Sequence, residues 1–153
     1  MKSKLFVLAA LCSLTVLQAS SAFANEGYCE GVGKAELFQD QLNTVYLCRA
    51  GEAAVTEFTV YQSQFLAKRK KDAPIATQVL FSLRTPLEDP MQQEEACTGN
   101  GGKVAEITSV ATGEKLSLCK FNDFSGMELR TLARGSKYPG NAHMSEQLTI
   151  KRK

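Results

Sequence analysis

The chain has 153 residues, 44% of them hydrophobic, enough to bury the core of one domain or two small ones. Its 18 basic residues against 16 acidic ones leave a formal charge of +2, and Lys2 and Lys4 account for that excess. Composition therefore argues against a nucleic-acid partner and against binding to an anionic membrane by global charge.

The first residues read as an export signal. Lys2 and Lys4 precede an apolar run from Leu5 to Leu17, and Ala22-Phe23-Ala24 presents small residues for cleavage after Ala24, or after Ala22 as the alternative. The run is shorter than the roughly 20 residues a spanning helix requires, which disfavours the competing reading of a membrane anchor. A signal over residues 1–24 also removes Cys12 and leaves Cys29, Cys48, Cys97 and Cys119, an even number in an oxidising compartment. Four cysteines allow three disulfide connectivities. With no CxxC pair and His143 as the single histidine, no metal and no cofactor is expected.

In chain order, Asn25 caps a very short helix to Cys29, and Lys34 to Arg49 alternates as a β-hairpin. A helix is expected over about Glu52 to Arg69, with Val55, Phe58, Gln62 and Phe65 on its apolar face, although Val55 to Tyr61 alone also suits a strand. Val79, Phe81 and Leu83 alternate as a strand, and residues 85–89 are a polar linker. Asp89-Pro90 then starts a helix, with Gln92 placed for a capping box, and Gly101-Gly102 stops it. Lys103 to Ser109 and Leu116 to Phe121 form a second hairpin. Ser125-Gly-Met-Glu128 reads as a capping box opening a helix that Gly135 ends, and Gln147 to Lys151 as a last strand.

The two halves look alike. Cys29, Cys48, Glu57 and Gln78 recur as Cys97, Cys119, Glu128 and Gln147, at offsets between 68 and 71. The expected architecture is α+β: two tandem α-β-β-α-β repeats, residues 25–84 and 90–153, each a hairpin sheet packed on helices. Units of about 60 residues bury little by themselves. One internal disulfide in each, Cys29–Cys48 and Cys97–Cys119, ties first helix to second strand, and sheet-to-sheet association buries the rest.

Cys97 to Gly135 resembles a small exported bacterial domain of unknown function, commonly labelled a hemolysin. Its pattern runs Cys-x3-Gly-Gly-Lys, a hairpin, Cys-x-Phe-x-Asp-x-Ser-x-Cys-Glu, then Arg-Gly-x-Cys. Cys97, Gly101, Gly102, Lys103, Cys119, Phe121, Asp123, Ser125, Glu128, Arg134 and Gly135 match in order, with a fainter copy from Cys29. The second cysteine pair of that domain falls on Met127 and Lys137 here, so the resemblance implies that Cys97 pairs with Cys119. It implies no pore mechanism, since no amphipathic pore-forming run is present.

No motif composes an active site. His143 sits in a Gly-Asn-Ala-His loop without a flanking acid or nucleophile. The expected function is therefore an exported, periplasmic or secreted, binding or inhibitory module of the bacterial cell envelope, facing an envelope or extracellular protein. The loops Asp40–Asn43, Ala111–Glu114 and Tyr138–Asn141 are its candidate surfaces. A small envelope hydrolase using Glu57 and Glu128 is the alternative. A third reading makes Lys68-Arg69-Lys70-Lys71 and Lys151-Arg152-Lys153 a membrane-surface patch, but no membrane partner is expected once the signal is removed.

Overall fold

Both hairpins form where side-chain alternation places them. The computed structural model describes residues 26–150, with β1 (Lys34–Gln39) paired to β2 (Thr44–Ala50), and β4 (Lys103–Ser109) to β5 (Lys115–Lys120). Each hairpin gains a short third strand, β3 (Ala53–Thr56) and β6 (Gly126–Glu128), in stretches expected to be helical. The six strands close into one antiparallel barrel in the order β1-β2-β3-β6-β5-β4. The expected pair of separate sheets meeting face to face is thus replaced by edge-to-edge closure. A three-stranded sheet leaves two edges of unpaired N–H and C=O groups, and here each half covers the edges of the other.

The two seams are short. Val55 faces Met127 across β3 and β6, and Phe38 and Gln39 face Ser109 and Thr108 across β1 and β4. Registers within the halves correspond. Cys48 stands opposite Val55 as Cys119 stands opposite Met127, and Leu47 opposite Thr56 as Leu118 stands opposite Glu128. The residue in Glu128's place is therefore Thr56, one position before the Glu57 that sequence spacing had paired with it. Both are N-caps: Thr56 accepts the Thr59 amide at the start of α1 (Glu57–Tyr61), and Glu128 the Thr131 amide at the start of α4 (Leu129–Arg134).

Alternation sorts the barrel's faces. Phe38, Leu47, Ala54, Ile107 and Leu118 fill the interior, and a larger cluster between barrel and helices contains all four cysteines with Val55, Met127, Val60 and Leu80. Three further helices complete that layer: α2 (Ile75–Ser82), α3 (Pro90–Thr98) and α5 (Ala142–Leu148). The strand expected at Val79 to Leu83 is α2, which buries Ala76, Val79 and Leu80 at i, i+3, i+4. Of the final strand expected at Gln147 to Lys151, Gln147 and Leu148 end α5, in which Met144 and Leu148 stand one turn apart and buried, and Thr149 and Ile150 follow the helix without forming a strand. A closed barrel has no free edge for either segment, so their apolar residues bury as helices.

Asp89 caps α3 as expected, accepting the Met91 and Gln92 amides. The reach-back contact comes from Gln93 to the Leu87 and Glu88 carbonyls, and not from Gln92. Ser125 is not the cap of α4. Its hydroxyl donates to Asp123 and accepts the Ala76 amide, so it ties the β5–β6 turn to α2, while Glu128 takes the capping role. Asn25 and residues 1–24, where the signal peptide is expected, lie outside the described residues, as do Lys151 to Lys153.

The disulfides are Cys29–Cys48 and Cys97–Cys119, one within each half. Each ties the turn or helix before the hairpin to the hairpin's second strand. Gly101 (φ +79°) ends α3 in the left-handed region, while Gly102 answers to packing. A Cβ there would sit 2.6 Å from the Cys119 sulfur and 2.7 Å from that of Cys97. Gly135 combines both constraints, with φ +73° and the Leu83 carbonyl 2.7 Å from a would-be Cβ.

Opening the second bridge with Cys97→Ala/Cys119→Ala is expected to cost roughly 3 kcal/mol in urea unfolding. Gly102→Ala in the oxidised protein is expected to cost about 1–3 kcal/mol through overpacking. In the bridge-less background its cost should shrink, because the two sulfurs it meets are gone. Equal costs in both backgrounds would show that the disulfide is not what forces glycine at this position.

Candidate functional site

The residues expected to form the apolar core face of a long helix do not all face the core. α1 runs on into a wider turn, a π-helical segment over Gln62–Leu66. On its inward side Glu57, Thr59, Val60 and Ser63 are buried, whereas Phe58 and Tyr61 are half-exposed and Phe65 and Leu66 are 63% and 54% exposed. The expected burial of Val55 holds, but Val55 belongs to β3, and Phe58 and Phe65 point the other way. Polar side chains win the inward positions because specific partners await them. The Thr59 hydroxyl lies 2.8 Å from the Gly126 amide and 3.0 Å from its carbonyl, and Thr56 reaches the same carbonyl. Ser63 bonds Thr77 on α2. These contacts hold α1 against the β3–β6 seam and satisfy groups whose burial is otherwise costly.

The aromatic side chains left outside form a continuous surface. Tyr28 stacks on Tyr61 with ring centroids 4.6 Å apart, Tyr61 on Phe65 at 5.7 Å, and Phe58 lies 6.0 Å from Tyr61. Phe124 meets Phe58 edge-on at 6.4 Å. Phe124 is 80% exposed and holds φ +66°, a left-handed conformation costly for a bulky residue. Its neighbours hold the turn: Asp123 accepts the Ile75 amide and the Ser125 amide and hydroxyl, and Gln62 donates to the Asp123 carbonyl. The strained loop thus presents a ring to solvent. Large exposed apolar surface of this kind marks interaction sites, and π-turns recur at functional sites.

Two surface cavities adjoin the far end of this strip. One, of about 490 Å³, is lined by Phe65, Lys68 and Ile150 among others, and the second, of about 360 Å³, by Lys70, Phe81 and Ile150. Lys68, Lys70 and Lys71 are exposed and make no ion pair with another described residue, while Arg69 pairs with Asp72.

The residues singled out in the sequence serve the fold. Glu57 and Glu128 share no partner, and neither lines either cavity. Glu128 holds the Thr131 amide and hydroxyl, each at 2.6 Å. Glu57 is 3% exposed, and its Oε2 has no hydrogen-bond partner among the described residues. Burial pushes its carboxyl up to about 7 against the pull of the Glu57, Phe58 and Tyr46 amides. The Asp40–Asn43 and Ala111–Glu114 loops are tied down by reciprocal ion pairs, Lys120 to Asp40 and Arg49 to Glu114. Although burial opposes it, the Lys120 ammonium with the Leu42 and Asn43 amides holds Asp40 down at about 2. In the Tyr138–Asn141 loop, Asn141 is buried on the Thr131 and Gly135 carbonyls and Tyr138 lies under Arg134. His143 contacts the Val32 carbonyl at 3.0 Å. The i, i+3, i+7 spacing of Phe58, Tyr61 and Phe65 was visible in the sequence, but spacing cannot say which face turns inward.

Two buried disulfides fit an oxidising compartment such as exported proteins meet. No helix among the described residues is long and apolar enough to cross a membrane.

Glu57 makes stability pH-dependent. Its folded pKa stands near 7 against an ordinary 4.5, so the native state holds a proton that the unfolded chain has released. The stabilisation is complete below about pH 4.5 and lost as pH rises through about 7. Urea unfolding should show a loss on the order of 3 kcal/mol between about pH 4.5 and pH 8, and Glu57→Gln should flatten it. An unchanged slope in the variant would place the titration elsewhere.

Comparison of the chain with protein-family models, with curated proteins and with solved structures finds no match.

Proposed function

We propose that the protein is an exported, disulfide-stabilised binding module of the bacterial cell envelope, and that it engages another envelope component through the aromatic face of α1 and its π-turn. The observation that carries this reading is the burial pattern of that helix, with Val60 inward among threonine, serine and glutamate while Phe58, Tyr61 and Phe65 lie outward beside the strained Phe124. A helix held only by hydrophobic packing would turn the other way. The resemblance of Cys97–Gly135 to the exported bacterial domain labelled a hemolysin supports the compartment and adds no mechanism.

The halves are further read as a duplication. Gln39 opposite Thr108 and Val55 opposite Met127 are corresponding positions that face each other, as expected when like units pair about a twofold axis. This supports a tandem α-β-β-β-α-α unit in place of the α-β-β-α-β unit inferred from spacing.

Phe65→Ser/Phe124→Ser exchanges exposed rings for polar side chains and is expected to leave thermal unfolding within a few degrees. In co-sedimentation with washed bacterial envelopes, the native disulfide-bonded protein should be retained and this variant should lose at least tenfold in retention. Retention that is absent, or equal for both proteins, would rule out the aromatic face as the docking surface.

A further inference from the structure

We infer that the component this face engages is an anionic lipid surface, with the rings entering the interface and the adjoining lysines meeting the headgroups. The inference rests on the binding-module reading and names the occupant of the same face.

The first observation is where the unpaired cations sit. Formal charge over residues 25–153 is balanced, which hides a local concentration of cations at Lys68 to Lys71. On the barrel and its loops, Glu36, Asp40, Glu52, Glu88, Glu106, Glu114 and Glu128 are all engaged in ion pairs with Arg49, Lys115, Lys120, Arg130 and Arg134. Lys68, Lys70 and Lys71 are not so engaged among the described residues; Lys34, Arg84, Lys103 and Lys137 are also outside these ion pairs, but they stand singly in the chain, whereas Lys68 to Lys71 is a run of four cations. Asp72 follows the run and pairs with Arg69, and Glu146 of α5 lines the first cavity together with Lys68. The local balance remains positive, and the fitting occupant is an anionic one.

The second observation is that Lys68 and Lys70 lie beside exposed apolar residues. Phe65 and Lys68 line one cavity, Phe81 and Lys70 line the other, and Thr149 and Ile150 border both. Leu66 stands exposed between them in the chain. Lysines with long apolar stems beside Phe and Leu are the composition of a surface-bound segment, in which rings and alkyl groups enter the acyl boundary and ammonium groups stay among phosphates.

The third is shape. Phe124, Phe65 and Leu66 project outward. A protein partner would have to match such irregular projections with a complementary surface, whereas a fluid lipid interface accepts them without a preformed cavity. Tyr61 and Tyr28 beside them have the apolar body and polar tip suited to the headgroup level.

Co-sedimentation with vesicles of phosphatidylcholine and phosphatidylglycerol in a 3:1 ratio tests this, with pure phosphatidylcholine vesicles as the comparison. The native protein is expected to sediment with the anionic vesicles at low salt, to dissociate as salt rises, and to stay in solution with the zwitterionic ones. Lys68→Gln/Lys70→Gln/Lys71→Gln changes only exposed side chains and should weaken partitioning on the order of 100-fold. Phe65→Ser/Leu66→Ser should weaken it roughly tenfold or more while leaving the salt dependence of the residual binding unchanged. If the native protein stays in solution with anionic vesicles at low salt, or if the lysine variant binds as well as the native chain, the inference is overturned. If in that case envelope retention still depends on Phe65 and Phe124, the binding module survives and its partner is an acidic protein. If retention also fails, both readings fall together.

Discussion

Edge pairing between the halves is the constraint on which the rest of the molecule depends. β3 and β6 are four and three residues long; each pairs along one side with its own hairpin, on β2 or β5, and the other edge of each is covered where Val55 meets Met127. Once β1 also meets β4, the sheet has no open edge, and every remaining apolar segment must pack as a helix on the outside. The disulfides act on the same geometry. By fixing β2 and β5 to the elements that precede each hairpin, they hold both sheets in place for closure. At the loop ends, Arg49 of the first half grips Glu114 of the second, and Lys120 of the second grips Asp40 of the first. Partly exposed pairs of this kind contribute little energy, but they set how the halves are seated.

The seam also determines which way α1 turns. Gly126 opens β6 at the seam, where Thr59 of α1 meets its amide and carbonyl and the N-cap Thr56, the last residue of β3, meets the same carbonyl. Leaving such groups unpaired in the interior costs about 1–3 kcal/mol each. That requirement rotates the helix, carries Glu57 and Ser63 inward with the threonines, and turns Phe58, Tyr61 and Phe65 outward. The exposed aromatic strip is therefore a consequence of how the barrel closes. The same rotation explains why a glutamate sits buried with one oxygen unpartnered and a carboxyl that titrates near neutrality. An exposed aromatic strip and a stability penalty thus share one cause.

Much of the scaffold was legible from the chain alone. Lys34 to Arg49 and Lys103 to Phe121 alternate over enough residues, with Asp40 and Gly113 in their turns, for period-two patterning to be decisive. Asp89-Pro90 marks a helix start through local chemistry; the pairing of the cysteines within each half, one of three connectivities open to the sequence, was expected from the inferred repeat and the resemblance, and the structure has it. The misreadings share one origin. Val79-Phe81-Leu83 suits a strand by alternation and a helix through Ala76, Val79 and Leu80, and only the lack of an open edge decides between them. Ser125 and Glu128 have the spacing of a capping box, yet Gly126 to Glu128 is drawn into β6 by β3 and β5, and Glu128 becomes the cap.

The two hairpins, the capped helix α3 and the α+β class were set by the chain itself, because each of these is written in residues close together in it. Tertiary structure alone decided that the halves share one barrel, that α2 and α5 are helices, and that the aromatic side of α1 faces outward. Those outcomes depend on contacts such as Thr56 with Gly126, 70 residues apart, in which the partner's position is set by the whole fold. Periodicity can locate an apolar face, but the groups waiting on the other side determine whether that face is buried.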